Sequence, residues 1–234
     1  MSVNTLRAGG AIAIACAGMA FSSATWTQES ESQSSPRFFE VTVTNLTRGQ
    51  QFTPILVASH RAGIRLFELG EPASASLQTI AEEGDVAPLA AELTANPDVL
   101  EVTNSGALLD PGASVSIRVR TQGNFNGVSI AAMLIPTNDG FFALNGAWIS
   151  PDSRSRTFTS VAYDAGSERN DELCASIPGP SFDECGGPGG GGMPAGDEEG
   201  YVHVHAGIHD VGDFDPADRD WRNPVARIVV RRVH

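Results

Sequence analysis

Val128-Ser129-Ile130-Ala131-Ala132-Met133-Leu134-Ile135, running directly into Pro136-Thr137-Asn138-Asp139-Gly140, sets the architecture. The first eight residues are almost wholly apolar and end at a turn. That pattern predicts a central β-strand buried on both faces. Around it lie segments whose apolar residues alternate. Ala113 to Thr121 sets Val115, Ile117 and Val119 against Ser114, Ser116, Arg118 and Arg120. Phe38 to Thr47 sets Phe39, Val41 and Val43 against Glu40, Thr42 and Thr44. Period-2 alternation predicts half-buried strands. Phe52 to Ser59, Phe141 to Ile149, Arg156 to Tyr163, Tyr201 to His205 and Val225 to Val233 also read as strands.

One segment breaks the β pattern. Between Ala73 and Ala95, Leu77, Ile80 and Ala81, then Val86, Leu89, Ala90 and Leu93, recur at helical spacing, interrupted by Gly84-Asp85. Pro88 sits near the start of the second piece, where a helix tolerates it. The reading is two short helices packed on one edge of the sheet. The glycine run Gly186 to Gly192, broken by Pro188, reads as a loop, and no repeat is present. The expected class is all-β: an antiparallel β-sandwich with a short helical insertion.

The 234 residues carry a formal charge of −13, and all 15 basic residues are arginine. This acidic balance argues against nucleic acid or an anionic membrane as the default partner. The N-terminus reads as a secretory signal: Arg7 is the positive flank, Ala8 to Phe21 the apolar stretch, and Ser22-Ser23-Ala24 the cleavage site. The apolar stretch is too short for a transmembrane helix. The predicted organisation is therefore a signal peptide over 1–24, a flexible leader over 25–36 and one domain over 37–234. The mature protein would be secreted, extracellular or periplasmic. A lipoprotein anchor at Cys16 is disfavoured, because Ala13-Ile14-Ala15 lacks a large aliphatic residue three before the cysteine. Cleavage leaves Cys174 and Cys185, a pair that forms a disulfide in an oxidising compartment.

Two loops and one strand carry candidate chemistry. Asp139 and Asp164 each stand where a strand ends and a loop begins, Asp164 within Ala162 to Glu172. Hard oxygen ligands gathered on loops at one end of a sandwich suit Ca²⁺; turn chemistry alone also explains an Asn-Asp-Gly sequence. Separately, alternation places His203 and His205 on one strand face with His209 in the following turn. Such a cluster suits Zn²⁺ or Cu²⁺, or is a polar face hydrogen-bonded to Asp210 and Asp213. There is no Gly-x-Ser-x-Gly elbow, no phosphate-binding glycine loop and no His-Glu-x-x-His.

Six pieces, in order over about 195 residues, resemble the N-terminal spondin domain, the F-spondin and mindin type of module. They are Phe52-Thr53-Pro54-Ile55-Leu56-Val57-Ala58-Ser59-His60, Leu66-Phe67-Glu68-Leu69-Gly70-Glu71-Pro72-Ala73-Ser74, Ile80-Ala81-Glu82-Glu83-Gly84-Asp85, Leu134-Ile135-Pro136-Thr137-Asn138-Asp139, Tyr163-Asp164-Ala165-Gly166 and Asn223-Pro224-Val225-Ala226-Arg227-Ile228. The resemblance implies a C2-like β-sandwich with a divalent cation, Ca²⁺, held by acidic loop residues. Asp139 and Asp164 fall on two of the family's ligand positions. The third is a glutamate on the preceding strand, where this chain has Arg120 or its neighbours. Glu168, Asn170, Asp171, Asn138, backbone carbonyls or water are the candidates to compensate. The thrombospondin repeats of mindin-like proteins do not occur in this sequence, so functions tied to them are not implied. The expected role is a secreted binding or adhesion module for an extracellular protein or glycan, without catalysis. The alternatives are a secreted metalloenzyme built on the three histidines, and a matrix component that self-associates through a sheet edge.

Overall fold

The computed structural model describes residues 35–191 and 196–233. The expected signal peptide, Cys16 and nearly all of the leader lie outside them. In chain order the elements are β1 (Arg37–Asn45), β2 (Gln51–Phe52), β3 (Leu56–His60), α1 (Ala75–Glu83), α2 (Ala87–Ala95), β4 (Val99–Asn104), β5 (Ser114–Thr121), β6 (Gly127–Ile135), β7 (Gly140–Trp148), β8 (Ser155–Ser160), β9 (Ala162–Asp164), β10 (Ser181–Phe182), β11 (Gly187–Pro188), β12 (His203–Val204), α3 (Pro216–Arg219) and β13 (Ala226–Val233).

Two antiparallel sheets face each other. One has the order β5-β1-β13-β8; the other runs β12-β9-β7-β6-β3-β4, with β2 also paired to β6. The alternation in β1 explains the four-stranded sheet. Phe39, Val41 and Val43 are buried, and their register partners Val119, Ile117, Ile228 and Val230 point the same way. They meet Val57, Val128, Ile130, Ala132 and Phe142 of the seven-stranded sheet in one core. Every residue of β6 is buried, as its continuous apolar run demands. Its other face, with Leu56, Ala58, Ala131 and Phe141, is covered by Leu77, Ile80, Leu89 and Leu93 of the helices. The helices therefore lie on the face of the seven-stranded sheet rather than on its edge. Ser74 caps α1 by accepting from the Leu77 amide, and Gly84 ends it in the left-handed conformation.

The expected strand from Phe52 to Ser59 is broken between β2 and β3. Pro54 has no N–H for a ladder, and the Ile55 amide bonds the Ser105 hydroxyl instead (2.8 Å). The expected strand from Arg156 to Tyr163 is also two strands, and they belong to different sheets. At the crossing, Ser160 Oγ donates to the Ala143 carbonyl (2.8 Å) and accepts from the Ala143 amide (3.1 Å). A hydroxyl thus stands in for the ladder where the chain passes from β13 to β7. β9 then runs to the site with Asp164 at its end. The Cys174–Cys185 disulfide is formed.

Candidate metal centre

The β6–β7 hairpin is tied by side chains before it presents an acid. Thr137 Oγ1 donates to the Leu134 carbonyl (2.5 Å), and the Gly140 amide donates to Thr137 Oγ1 (3.0 Å). Asn138 reaches the loop that follows β9: its Nδ2 donates to Asp171 Oδ1 (3.0 Å) and its Oδ1 accepts from the Glu172 amide (3.2 Å). Asp139 faces the same loop and is fully buried. Its Oδ2 accepts from the Ser167 amide (2.7 Å), the Ser167 hydroxyl (3.2 Å) and the Glu168 amide (3.0 Å). Among the described residues its Oδ1 has no hydrogen-bond partner.

Asp164 is also fully buried. Its Oδ1 accepts from the Gly166 amide (2.8 Å) and its Oδ2 from Asn170 Nδ2 (2.7 Å). Three consecutive amides, those of Gly166, Ser167 and Glu168, are thus divided between two buried carboxylates. Gly166 has φ +65°, and a Cβ there would lie 2.3 Å from the Tyr201 carbonyl oxygen. Only glycine permits that approach. It lays the chain from Gly200 along β9, so that His203 pairs with Asp164, which pairs with Gly140 on its other side. Residues in register share a sheet face. The acidic loops and the histidine segment, separate in the sequence, are therefore one neighbourhood.

The two histidines of this segment differ. His203 Nδ1 lies 3.1 Å from the Val204 carbonyl. A carbonyl can only accept, so Nδ1 carries a proton, and in the neutral ring the lone pair is on Nε2. That Nε2 stands 3.6 Å from Asp164 Oδ1 and has no hydrogen-bond partner among the described residues. A ring nitrogen freed by a backbone bond at the other is the usual arrangement of a metal-binding imidazole. His205 Nδ1 instead accepts from the Gly207 amide (3.0 Å), so its neutral ring carries the proton on Nε2. Burial pushes its pKa down to about 4 against the pull of Asp164. His205 packs on Trp221 and over Gly140, where a Cβ would lie 3.0 Å from its Cδ2. His209 is exposed, in a loop whose His209 and Val211 amides donate to the Glu172 carboxylate (2.6 and 3.1 Å). The three histidines thus do not form one centre among the described residues. β12 is only two residues long, and the chain turns away at His205.

The described residues instead bring together Asp164, His203 and Glu199, with one potential ligand atom from each inside a 4.8 Å span. Sequence reasoning missed Glu199. Its signal was the run Asp197-Glu198-Glu199, set just before the histidine segment. Of the other candidates, Glu168 is buried and its charge acts on Asp139. Asn170 is bound to Asp164. Asp171 is engaged in holding the loops, accepting from Asn138, the Leu173 amide (3.0 Å) and the Ser176 hydroxyl (2.8 Å). Arg120 lies on β5, in the other sheet. The acidic run after His209 serves as caps: Asp213 accepts from the Cys174 amide and Asp215 caps α3.

The electrostatics follow from the packing. Burial, then the adjacent Asp164 charge, raises the Asp139 pKa to about 8, against the pull of the Glu168 and Ser167 amides. Glu168 adds to the rise. The centre holds more negative charge than its amides offset, which is the condition for a proton or a cation to be retained.

Residues 18–169 match the family model described as Spondin_N. The chain belongs to the spondin N-terminal domain family. No curated protein matches it. The matched span of this spondin domain includes Asp139, Asp164 and Glu168 and ends at Arg169. Glu199, His203 and the disulfide lie beyond it. No described helix is long and apolar enough to cross a membrane.

Proposed function

We propose that this spondin domain is a secreted binding module whose loops at one end of the seven-stranded sheet close on a divalent cation, Ca²⁺. The observation that carries the reading is the pair Asp139 and Asp164: both fully buried, fed by consecutive amides, with Asp139 Oδ1 left without a hydrogen-bond partner among the described residues. A cation between them would offset their repulsion and hold the 164–172 loop against the β6–β7 hairpin. The ordered loops would then face an extracellular protein or glycan. An extracellular setting fits the family and the disulfide. The family is not a known enzyme family, which supports a binding role.

One observation favours a second reading of the ion. His203 Nε2 offers a lone pair beside Asp164 and Glu199, and a nitrogen–carboxylate donor set suits Zn²⁺ or Cu²⁺, whereas Ca²⁺ takes oxygens. A metalloenzyme built on that set would need an open coordination position. Calorimetric titration of chelator-stripped protein separates the readings. On the calcium reading, Ca²⁺ binds with one-to-one stoichiometry, Asp139→Ala or Asp164→Ala abolishes binding, and His203→Ala changes it less than about twofold. On the zinc reading, His203→Ala abolishes Zn²⁺ binding. Wild-type protein that binds neither ion overturns both.

A further inference from the structure

The four strands of the smaller sheet are chemically unlike the rest of the chain. β1, β5, β8 and β13 contain seven of the 15 arginines and a single acid, Glu40. These strands carry a formal +6 within a chain of −13, which leaves the remainder at −19. The face turned away from the core is open. Register places Arg118 and Arg231 on either side of Glu40, with Arg227 further along β13. Glu40 is taken up by Arg231 at 2.6 Å. Among the described residues, Arg118 and Arg227 have no ion-pair partner; Arg118 lies over the Phe38 ring at 4.1 Å. Between the arginines run hydroxyl rows, Thr42 with Ser116 and Thr44 with Ser114, each pair at 2.8 Å. Glu101 of β4 accepts from the Arg120 amide.

A surface built for solubility alone intersperses both signs. Here the signs are segregated, and the positive side is a flat, hydroxyl-lined sheet. Strands stand about 4.8 Å apart and rise about 3.3 Å per residue. Arg118 and Arg231 are therefore about 10 Å apart across the sheet, and Arg227 and Arg231 about 13 Å apart along it. We propose that this face is the docking surface for a polyanionic polysaccharide, its sulfates or carboxylates taken by Arg118, Arg227 and Arg231 and its hydroxyls by the Ser/Thr rows. Guanidinium forks match carboxylate and sulfate geometry, and the aromatic ring on this face, Phe38, is covered by Arg118 rather than open for nucleobases to stack on. The surface is on the other sheet from the cation centre and does not depend on it.

Affinity electrophoresis and calorimetry with size-fractionated heparin and with polygalacturonate, in chelator, test this. Neutral dextran and duplex DNA serve as comparisons. The account expects wild-type protein to bind at least one of the two polyanionic glycans and not dextran. Arg118→Ser/Arg227→Ser should weaken binding about tenfold or more and lower the log–log salt slope by roughly two. Arg48→Ser/Arg222→Ser, an equal charge change off this sheet, should leave both within about twofold. Thermal melts verify that both variants are folded. No binding to either glycan overturns the proposal, as does loss shared equally by the two double variants. Equal affinity for duplex DNA overturns it in favour of unspecific charge attraction. Self-association in the absence of glycan that Arg118→Ser/Arg227→Ser abolishes overturns it in favour of a second copy's acidic surface. Because every arm is run in chelator, a failed cation centre leaves these results unchanged.

Discussion

The seven-stranded sheet is covered on both faces, by the smaller sheet and by two helices, while the four-stranded sheet is covered on one. Ionisable residues behave accordingly. At the end of the covered sheet, Asp139 and Asp164 are fully buried, three of their four oxygens are taken by amide and side-chain donors, and the residual charge remains to be offset. On the open sheet, Arg118 and Arg227 are exposed and form no ion pair among the described residues, since Glu40, in register with Arg118, is taken up by Arg231. Burial turns a charged side chain into a demand for a specific partner; exposure leaves it available to any partner of opposite sign.

The largest expected effect contrasts the two sheets directly. Ile130→Ala in β6 removes a side chain packed on every side and should cost about 3–4 kcal/mol in urea unfolding. Val229→Ala, on the open face of β13, should cost less than about 1 kcal/mol. Similar losses at both positions would break the contrast.

Next comes Gly166→Ala. A methyl group 2.3 Å from the Tyr201 carbonyl, at φ +65°, should cost about 2–3 kcal/mol and detach the 199–204 segment from β9. The amide resonances of His203 and Val204 report it. Unchanged shifts there would show that another contact sets the β12 register. Cys174→Ser/Cys185→Ser should lower stability by a comparable or slightly smaller amount, about 2–3 kcal/mol by loop-closure arithmetic, in the same urea titrations.

The smallest effect sharpens the electrostatic side. In chelated protein, folded Asp139 holds its proton to about pH 8, while unfolded aspartate releases it near 4. The folded state thus binds more protons over that window, so stability falls as pH rises from 4 to 8. His205 acts oppositely: its folded pKa near 4 lies below the unfolded 6.5, so stability falls as pH drops from 6.5 to 4. The two slopes cancel below 6.5 and leave a net loss of about 2 kcal/mol between 6.5 and 8. Urea midpoints against pH should show that loss in wild type and not in Asp139→Asn. A matching slope in the variant would place the titration elsewhere.

The parts of this architecture visible in the sequence were those with a strong local period. β6 was legible because no half-exposed strand is apolar at nearly every position, and β1, β5 and β13 because they alternate. The sheet change between β8 and β9 was not. Thr159-Ser160-Val161-Ala162-Tyr163 reads as one strand, and the break depends on a hydroxyl contact with a residue 17 positions away. β4 is not legible in the sequence, since Val99 to Asn104 is half-buried on both sides and shows no clean alternation. At the centre, Asp139 and Asp164 were legible from strand-end position and family likeness. That His203 pairs with Asp164 was not, because the register is set by the close approach at Gly166 and not by any residue pattern in β12. Glu199 followed from the same register.

The central claim is that Asp139 and Asp164 share an ion. Anomalous diffraction from crystals grown with Ca²⁺, and with Zn²⁺ in parallel, tests it most directly. The account predicts an anomalous peak within coordination distance of both Asp139 Oδ1 and an oxygen of Asp164. Well-ordered carboxylates at that centre with no peak from either ion would contradict it.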